Sequence, residues 1–356
     1  MGATRSLVIG MEGPAGLFSA DQENVGFRAA LAEANWGGGI HGRKLVERGY
    51  PRPDRAAAAS NARRLIDEDV FLLLNFGAWP SSGEIAKLAM ERRVPYMFPH
   101  TALLPRQAQR YVFTSFPRYQ EEAALMLRFV VRERGVRRIA ILHEPSAYGR
   151  LFLQLLQASA GEAGYELCAG AELASHQAAD VDRDLATLAE SAPEAVFIAL
   201  HPEEARAVMA SKARLGLRFT VVATGPLSDE KYLDVPGGSA DGTLGFCHFL
   251  DPERASGPGF DAYRAAMARH APGEGLNRYS LYGYVYGLLV LEGLRRAGPS
   301  ASREAFVDAM ESIRDWDSGG IVPPVSFSAG EHHAQHAGII CELRSGHFEP
   351  LTGWVS

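Results

Sequence analysis

Three cysteines in 356 residues is little, and nothing in their arrangement compensates. Cys168, Cys247 and Cys341 stand far apart in apolar, strand-like segments, with no CxxC and no Cys/His spacing, which argues against disulfide stapling, metal binding and redox chemistry. No apolar stretch approaches the roughly 18 residues that a membrane-spanning helix needs. No basic run occurs, and the net charge is −6, so neither nucleic acid nor an anionic membrane is indicated as a partner. Low-complexity tracts are absent, and so is a GxSxG nucleophile elbow. The first residues lack the apolar core of a secretory leader, because Met1 to Ser6 leads almost directly into Leu7-Val8-Ile9. Two readings stay open there: a cytosolic protein, or a secreted one whose leader has been removed.

What remains is a globular composition, 47% hydrophobic and 22% charged, long enough for two domains of ordinary size. Its dominant pattern is strand then helix, repeated. Strand-like runs at Leu7–Met11, Lys44–Gly49, Val70–Phe76 and Val94–Phe98 alternate with helical patterns at Asn24–Glu33, Asp54–Asp67 and Ser82–Arg92. The pattern restarts near Arg118. A helix is expected over Glu121–Arg134, then strands at Arg138–His143, Tyr165–Ala171, Ala195–Leu200 and Thr220–Thr224. Between these strands come helices at Arg150–Ala163, Asp180–Ala189 and Glu203–Leu215. Two further helices, Ser280–Ala297 and Ser302–Ile313, precede a β-rich tail from Val325 to Trp354. Alternation of this kind means parallel sheets with helices on both faces. Two similar units imply two lobes with a cleft.

In an open parallel sheet, ligands sit beyond the carboxyl ends of the strands, against helix N-termini. "FGAWPSSGEIAKL" (Phe76 to Leu88) is such an end, and it carries more than a plain connection needs. Pro80 fixes the turn, Ser81 or Ser82 caps the helix and leaves N–H groups facing the cleft, and Trp79 is placed to lie across a ligand or to pack between lobes. The same logic selects Pro99, His100, Thr101 and Ala102 in "PHTALL", Tyr148 in "HEPSAYG", and Leu200 and His201 in "ALHPEE". It also selects Gly225 in "ATGPLSDE", and Phe18 with Ser19 in "EGPAGLFS".

Other motifs fail on context. "GGGIHG" (Gly37 to Gly42) satisfies GxGxxG but follows a helix and precedes a strand, the reverse of a dinucleotide-binding loop. "EHHAQH" places His332 and His336 four apart, yet Gly330 and the β-rich surroundings speak for a solvated loop rather than a metal site. His100, His143 and His201 lie at strand ends, so hydrolysis is a rival reading, although nothing in the sequence positions a nucleophile.

Taken in order, "IGMEGPAG", "LAEANWGGGIHGRKL", "VPYMFPHTALL", "RYVFTSFPRYQEEA", "VRRIAILHEPSAYG", "YSLYGYVYGLLVLEGLRRAG" and "GGIVPPVSFSAGEHH" resemble the type I periplasmic binding proteins. The nearest branch is the Leu/Ile/Val-binding-protein-like receptors of ABC importers, and the likeness covers essentially the whole chain. It implies an α/β fold of two Rossmann-like lobes, a venus flytrap with three hinge crossings near 116–120, 247–252 and 322–328. Lobe 1 would comprise 1–117 and 250–324, and lobe 2 would comprise 118–249 and 325–356.

Carried over by position, Ser81 and Thr101 match hydroxyls that hold a ligand carboxylate, with the backbone of His100 and Ala102 beside them. Phe18 falls near a first-loop tyrosine, and Tyr148 matches a second-lobe tyrosine. Leu200 replaces a second tyrosine, and the family's first-lobe disulfide has no counterpart. "ATGPLS" lacks the glutamate that meets a ligand ammonium, and Asp229 and Glu230 come a few residues late. A buried, unpaired ammonium is costly. That favours an acid without an α-amino group, or an aromatic or amide ligand stacked on Trp79 and Phe18. A branched-chain amino acid requires another group, such as Asp229, for its ammonium.

The resemblance thus implies a receptor that captures a small organic solute and needs no cofactor. The solute would dock on lobe 1, and closure would bring Tyr148, Leu200, His201 and Gly225 over it. ABC permease subunits would be the partner, and the location periplasmic. The alternatives are a cytoplasmic amide- or small-molecule-sensing regulator on the same fold, and an enzyme in the same cleft.

Overall fold

The structure, a computed structural model, describes residues 6–13, 18–52, 57–74, 81–104, 109–173, 175–233, 235 and 240–356. The chain divides into two units, Met1–Phe116 with Asp251–His336 and Pro117–Leu250 with Ala337–Ser356, so it passes between them three times. The first passage follows β1 (Leu7–Met11), α1 (Phe18–Trp36), β2 (Leu45–Arg48), α2 (Ala57–Asp67), β3 (Leu72–Leu74), α3 (Ser81–Arg92), β4 (Tyr96–Met97) and β5 (Val112–Phe113). The second unit then runs through α4 (Tyr119–Arg128), β6 (Arg138–His143), α5 (Ala147–Ser159), β7 (Glu166–Glu172), α6 (Ala178–Glu190), β8 (Ala195–Ala199), α7 (Pro202–Arg214), β9 (Thr220–Ala223) and β10 (Leu244–Cys247). Helices α8 (Pro258–His270), α9 (Arg278–Ala297) and α10 (Arg303–Glu311) return to the first unit, and β11 (Gly338–Arg344) and β12 (His347–Val355) close the second.

Among the described residues, the first unit holds a five-stranded sheet of order β2-β1-β3-β4-β5, parallel throughout. The second holds a seven-stranded sheet of order β12-β11-β10-β9-β8-β6-β7, parallel from β7 to β10, with β11 and β12 antiparallel at one edge. Parallel strands covered on both faces read as unbroken apolar runs. Leu72–Leu74 and Ala195–Ala199 are such runs, buried at every position. This is the expected α/β arrangement with two Rossmann-like sheets. No helix is long and apolar enough to cross a membrane among the described residues.

Two elements lie outside the pattern read from sequence, β5 and α8, and the strand-like run around Cys247 takes definite bounds as β10. The expected helix Glu121–Arg134 is α4 followed by a π-helical turn, Phe129–Glu133. The β-rich tail from Val325 is only partly strand, because residues 325–336 stay with the first unit. Val325 bridges to Trp316 and Thr114 bridges to His333, and the Ala334 N–H donates to the Thr114 carbonyl at 2.9 Å. The third passage between units therefore falls at 336/337 rather than 324/325.

"EHHAQH" is not a solvated loop. His332 and His333 are buried, and the His332 ring stacks on Phe113 with centroids 4.0 Å apart. His333 Nδ1 lies 2.7 Å from the Thr114 hydroxyl, so this segment is packing in the first unit.

One packing feature matters for the site. A Cβ on Gly26 of α1 would lie 1.9 Å from the Ser280 carbonyl, and one on Gly283 of α9 would lie 1.9 Å from the Glu23 carbonyl. Two glycines therefore let the helix backbones touch. Asn277 caps α9 by accepting from the Tyr279 and Ser280 N–H groups. A well-capped α9 fixes α1, and with it the rotation that aims Ser19 and Glu23.

Candidate functional site

In the first unit, β1, β3 and β4 are neighbours, so their carboxyl ends, at Met11, Leu74 and Met97, lie side by side. The turn after β4 is sharp. Phe98 is fully buried and has φ of 51°, in the left-handed region that residues other than glycine seldom adopt. Its carbonyl accepts from the Tyr282 hydroxyl of α9 at 3.2 Å, and the Thr101 N–H donates to Pro99 O at 2.7 Å. These bonds hold the bend and turn the His100 side chain toward α1.

His100 makes two polar contacts there. Its Nδ1 is 2.8 Å from Glu23 Oε1, and its Nε2 is 3.3 Å from Ser19 Oγ. The ring meets Phe116 edge-on at 5.8 Å, and 22% of the side chain is exposed, whereas Glu23 is fully buried. Burial by itself would lower the imidazole pKa. The Glu23 charge and hydrogen bond, helped by Glu12 and opposed by Arg52, outweigh that and raise it above the ordinary histidine value. Glu12 and Arg52 form a second buried ion pair at 3.4 Å.

The line Ser19–His100–Glu23 has the order of a nucleophile, a base and an orienting carboxylate. With its pKa raised, His100 is held toward the protonated form, in which Nε2 carries a proton and is no acceptor for the serine O–H.

The other first-unit residues expected at a ligand lie on the same strand-end segments. Ser81 opens α3 and is buried, as is Thr101, whose hydroxyl accepts from the Leu103 N–H at 3.1 Å. Ala102 is half-buried. Ser82, beside Ser81, has a fully buried hydroxyl with no hydrogen-bond partner among the described residues. Phe18 opens α1, is 37% exposed, and touches Tyr279 edge-on at 6.2 Å. Trp79 and Pro80 lie outside the described residues.

In the second unit, β6, β8 and β9 are neighbours and carry the remaining candidates. Tyr148, in the first turn of α5, is buried and hydrogen-bonds its hydroxyl to Thr224 Oγ1, which donates to the Ile198 carbonyl at 3.1 Å. Burial pushes the Tyr148 phenol well above its ordinary pKa. Leu200 is 1% exposed and belongs to the core of this unit. His201, the N-cap position of α7, has nearly half its side chain exposed, and its Nε2 lies 2.9 Å from Glu144 Oε2. The Ser146 hydroxyl donates to the other Glu144 oxygen.

Gly225 corrects one expectation. "ATGPLS" has no carboxylate of its own, yet a carboxyl lies directly behind it. The Gly225 N–H donates to Glu122 Oε1 at 2.7 Å, from the first turn of α4. Glu122 is fully buried, and burial raises its pKa to about 8, although the Gly225 bond works in the opposite direction. Its second oxygen has no hydrogen-bond partner among the described residues. A Cβ on Gly225 would sit 2.5 Å from His248 Nε2 and 2.9 Å from Glu122 Oε2, so no larger residue fits without displacement. Asp229 is buried beside the turn that begins at Glu230, whose carboxylate accepts the Phe348 N–H at 2.8 Å.

Sequence reasoning missed Glu12, Glu23, Arg52, Glu122 and Glu144. Each is a charged residue in a segment that otherwise reads as solvated helix or loop. Only the three-dimensional neighbours reveal their burial.

A family model described as periplasmic binding protein matches residues 7–347. Leu/Ile/Val-binding protein homolog 3 of Brucella melitensis is 22% identical over 319 residues, covering 86% of this chain and 82% of the relative. Among solved structures, a branched-chain amino acid ABC transporter from Thermus thermophilus with bound valine superposes with a TM-score of 0.84 at 19% identity, over 100% of this chain and 97% of the other. A fatty acid ABC transporter substrate-binding protein from Thermomonospora curvata gives 0.82 at 15% identity, over 99% and 93%. At such identities the structural likeness speaks for the fold alone.

Proposed function

The chain belongs to the periplasmic binding protein family, whose members are solute-binding receptors rather than enzymes, and from that premise we propose that it is the substrate-binding component of an ABC importer. Its place of work would be outside the cytoplasm, with permease subunits as partner. The ligand is a small organic solute bearing a carboxylate: a branched-chain amino acid, its keto acid, or an aromatic acid.

The observation behind this reading is that the buried hydroxyl residues Ser81, Ser82 and Thr101 and the half-buried imidazole of His100 belong to segments that follow the neighbouring strands β3 and β4. That set donates hydrogen bonds and offers positive charge, which suits an acid group. In this proposal the ligand docks there first, with Ala102 contributing backbone, Pro80 shaping the turn, and Phe18 and Trp79 supplying aromatic surface. Tyr148, His201 and Gly225 then contact the remainder, and the ligand shifts the population toward the form that the permease reads. Leu200 supports the second unit's strand end from its core. The second unit does hold carboxyls behind Gly225 and beside His201, at Glu122 and Glu144, although both are buried and Glu122 is held toward its neutral form.

The test is thermal unfolding against leucine, valine, their keto acids and aromatic acids. A ligand at about 100 times its Kd adds roughly 2.7 kcal/mol of stability, a plain upward shift of Tm. At least one of these acids should produce it. No shift with any of them would sink the reading.

A further inference from the structure

The bond between Ser19 and His100 can run in either direction, and the direction decides what Ser19 shows to a ligand. With a neutral ring, Nδ1–H donates to Glu23 and Nε2 accepts the serine proton, so Ser19 presents only lone pairs. With a cationic ring, Nδ1–H donates to Glu23 Oε1 at 2.8 Å and Nε2–H donates to Ser19 Oγ at 3.3 Å. The serine O–H is then left without an acceptor among the described residues. A hydroxyl whose proton is unclaimed and whose oxygen already accepts from a cation is an anion donor.

We propose, resting on the receptor reading above, that the Ser19 hydroxyl backed by His100 is the group that recognises the ligand's carboxylate, and that only the protein with both His100 ring nitrogens protonated presents it.

The surroundings support the cationic state. Glu23 of α1 faces Nδ1, fully buried and thus poorly screened. Glu12, beyond β1, adds negative charge, and Arg52, beyond β2, opposes it while paired to Glu12 at 3.4 Å. Phe116 brings only its ring to the imidazole. The Ser19 contact, at 3.3 Å, is the looser of the two, so a carboxylate can share or replace Ser19 at Nε2 without disturbing the Glu23 anchor.

The experiment has two arms on the intact chain. Histidine 15N NMR, with His100→Gln to assign the signal, should show both ring nitrogens protonated at pH 7, and Glu23→Gln should lower that midpoint. Calorimetry then compares acid and amide partners of one shape: leucine with leucinamide, and 4-methylpentanoate with 4-methylpentanamide. An acid should bind at least ten times tighter than its amide and lose about tenfold in affinity per pH unit above the His100 midpoint. Ser19→Ala should weaken the acid about tenfold, and His100→Gln should also flatten the pH profile. Ser19→Ala leaves the Glu23–His100 pair intact, so it decides the matter even where His100→Gln does not fold. A singly protonated His100 at pH 7, or an acid bound equally by wild type and Ser19→Ala, overturns the inference and leaves the receptor reading standing. If no member of the panel binds while His100 titrates as described, it is the receptor reading that fails, and the recognition role falls with it.

Discussion

In the first unit the buried Glu23 carboxylate meets the imidazole of His100, and the buried Glu12 meets Arg52. In the second, the buried Glu122 meets, among the described residues, the backbone N–H of Gly225 and no cation. Both faces sit at the carboxyl ends of parallel strands, and both bury carboxyls. The outcome differs because of partners. Against the burial that would lower it, the Glu23 charge and hydrogen bond drive the His100 pKa up, whereas burial without a cation drives the Glu122 pKa up to about 8. One face pairs its carboxyls with cationic side chains, and the other holds a carboxyl toward its protonated form. An anion belongs with the former, and a group that can trade a proton or accept from a neutral acid belongs with the latter.

Glu122→Gln is the largest lever on this comparison. An acid whose pKa rises from about 4.5 unfolded to about 8 folded keeps its proton in the native state after the unfolded chain has lost it. Native protein then binds more protons than unfolded, so stability falls as pH rises from about 4.5 to about 8 and levels off beyond. The loss is a few kcal/mol at the top of that window, with roughly 5 kcal/mol as the ceiling from 1.36 kcal/mol per unit. Glutamine keeps an acceptor for the Gly225 N–H and carries no charge. Denaturant unfolding of the variant should match wild type near pH 4.5, exceed it by a few kcal/mol at pH 9, and show a flatter profile for the second unit. An unchanged slope would mean that Glu122 ionises without cost, and the contrast between the faces would disappear.

Glu23→Gln attacks the other face, with a smaller effect of opposite sign. A histidine whose pKa is raised on folding stabilises the native state. That contribution is complete below about pH 6.5 and disappears as pH climbs through the folded value. Replacing a charge-assisted hydrogen bond by a neutral one should cost about 1–2 kcal/mol at pH 6 and progressively less as pH climbs through the folded His100 value. Unfolding curves at pH 6 and pH 9 check this. Equal losses at both would show that Glu23 acts by packing alone.

The alternation of strands and helices was legible because parallel strands are continuous apolar runs and the helices between them keep a helical period; the bounds of β6, Arg138–His143, agree residue for residue. The two-residue β5 is too short to carry a period, and α8 opens on Gly257 at its N-cap and Pro258 in its first turn, which read as a loop. The strand-end residues His100, Tyr148, His201 and Gly225 were legible from topology, since a parallel sheet dictates which loops carry function. Their partners were not. Glu122 reaches Gly225 across 103 positions and Glu23 reaches His100 across 77, so no local window links them. "ATGPLS" itself holds no carboxylate, as its sequence says; the carboxyl behind it comes from Glu122, on a helix that follows the first crossing.

The smallest effect sharpens the comparison from the rim. His201 and Glu144 form an ion pair at 2.9 Å, like His100 and Glu23, but nearly half of the His201 side chain is exposed. Water screens such a pair and competes for both partners, so it should contribute under about 1 kcal/mol. Ser146 also supports Glu144, which keeps a donor when the histidine is removed. His201→Gln should therefore change the unfolding free energy by less than about 1 kcal/mol, with a salt dependence that Glu23→Gln lacks, because exposed pairs weaken with ionic strength and buried ones scarcely do. Measuring both variants at low and high salt separates the two cases. A loss at His201 as large and as salt-insensitive as at Glu23 would mean that exposure does not divide the two pairs, and that Glu144 depends on its histidine as Glu23 does.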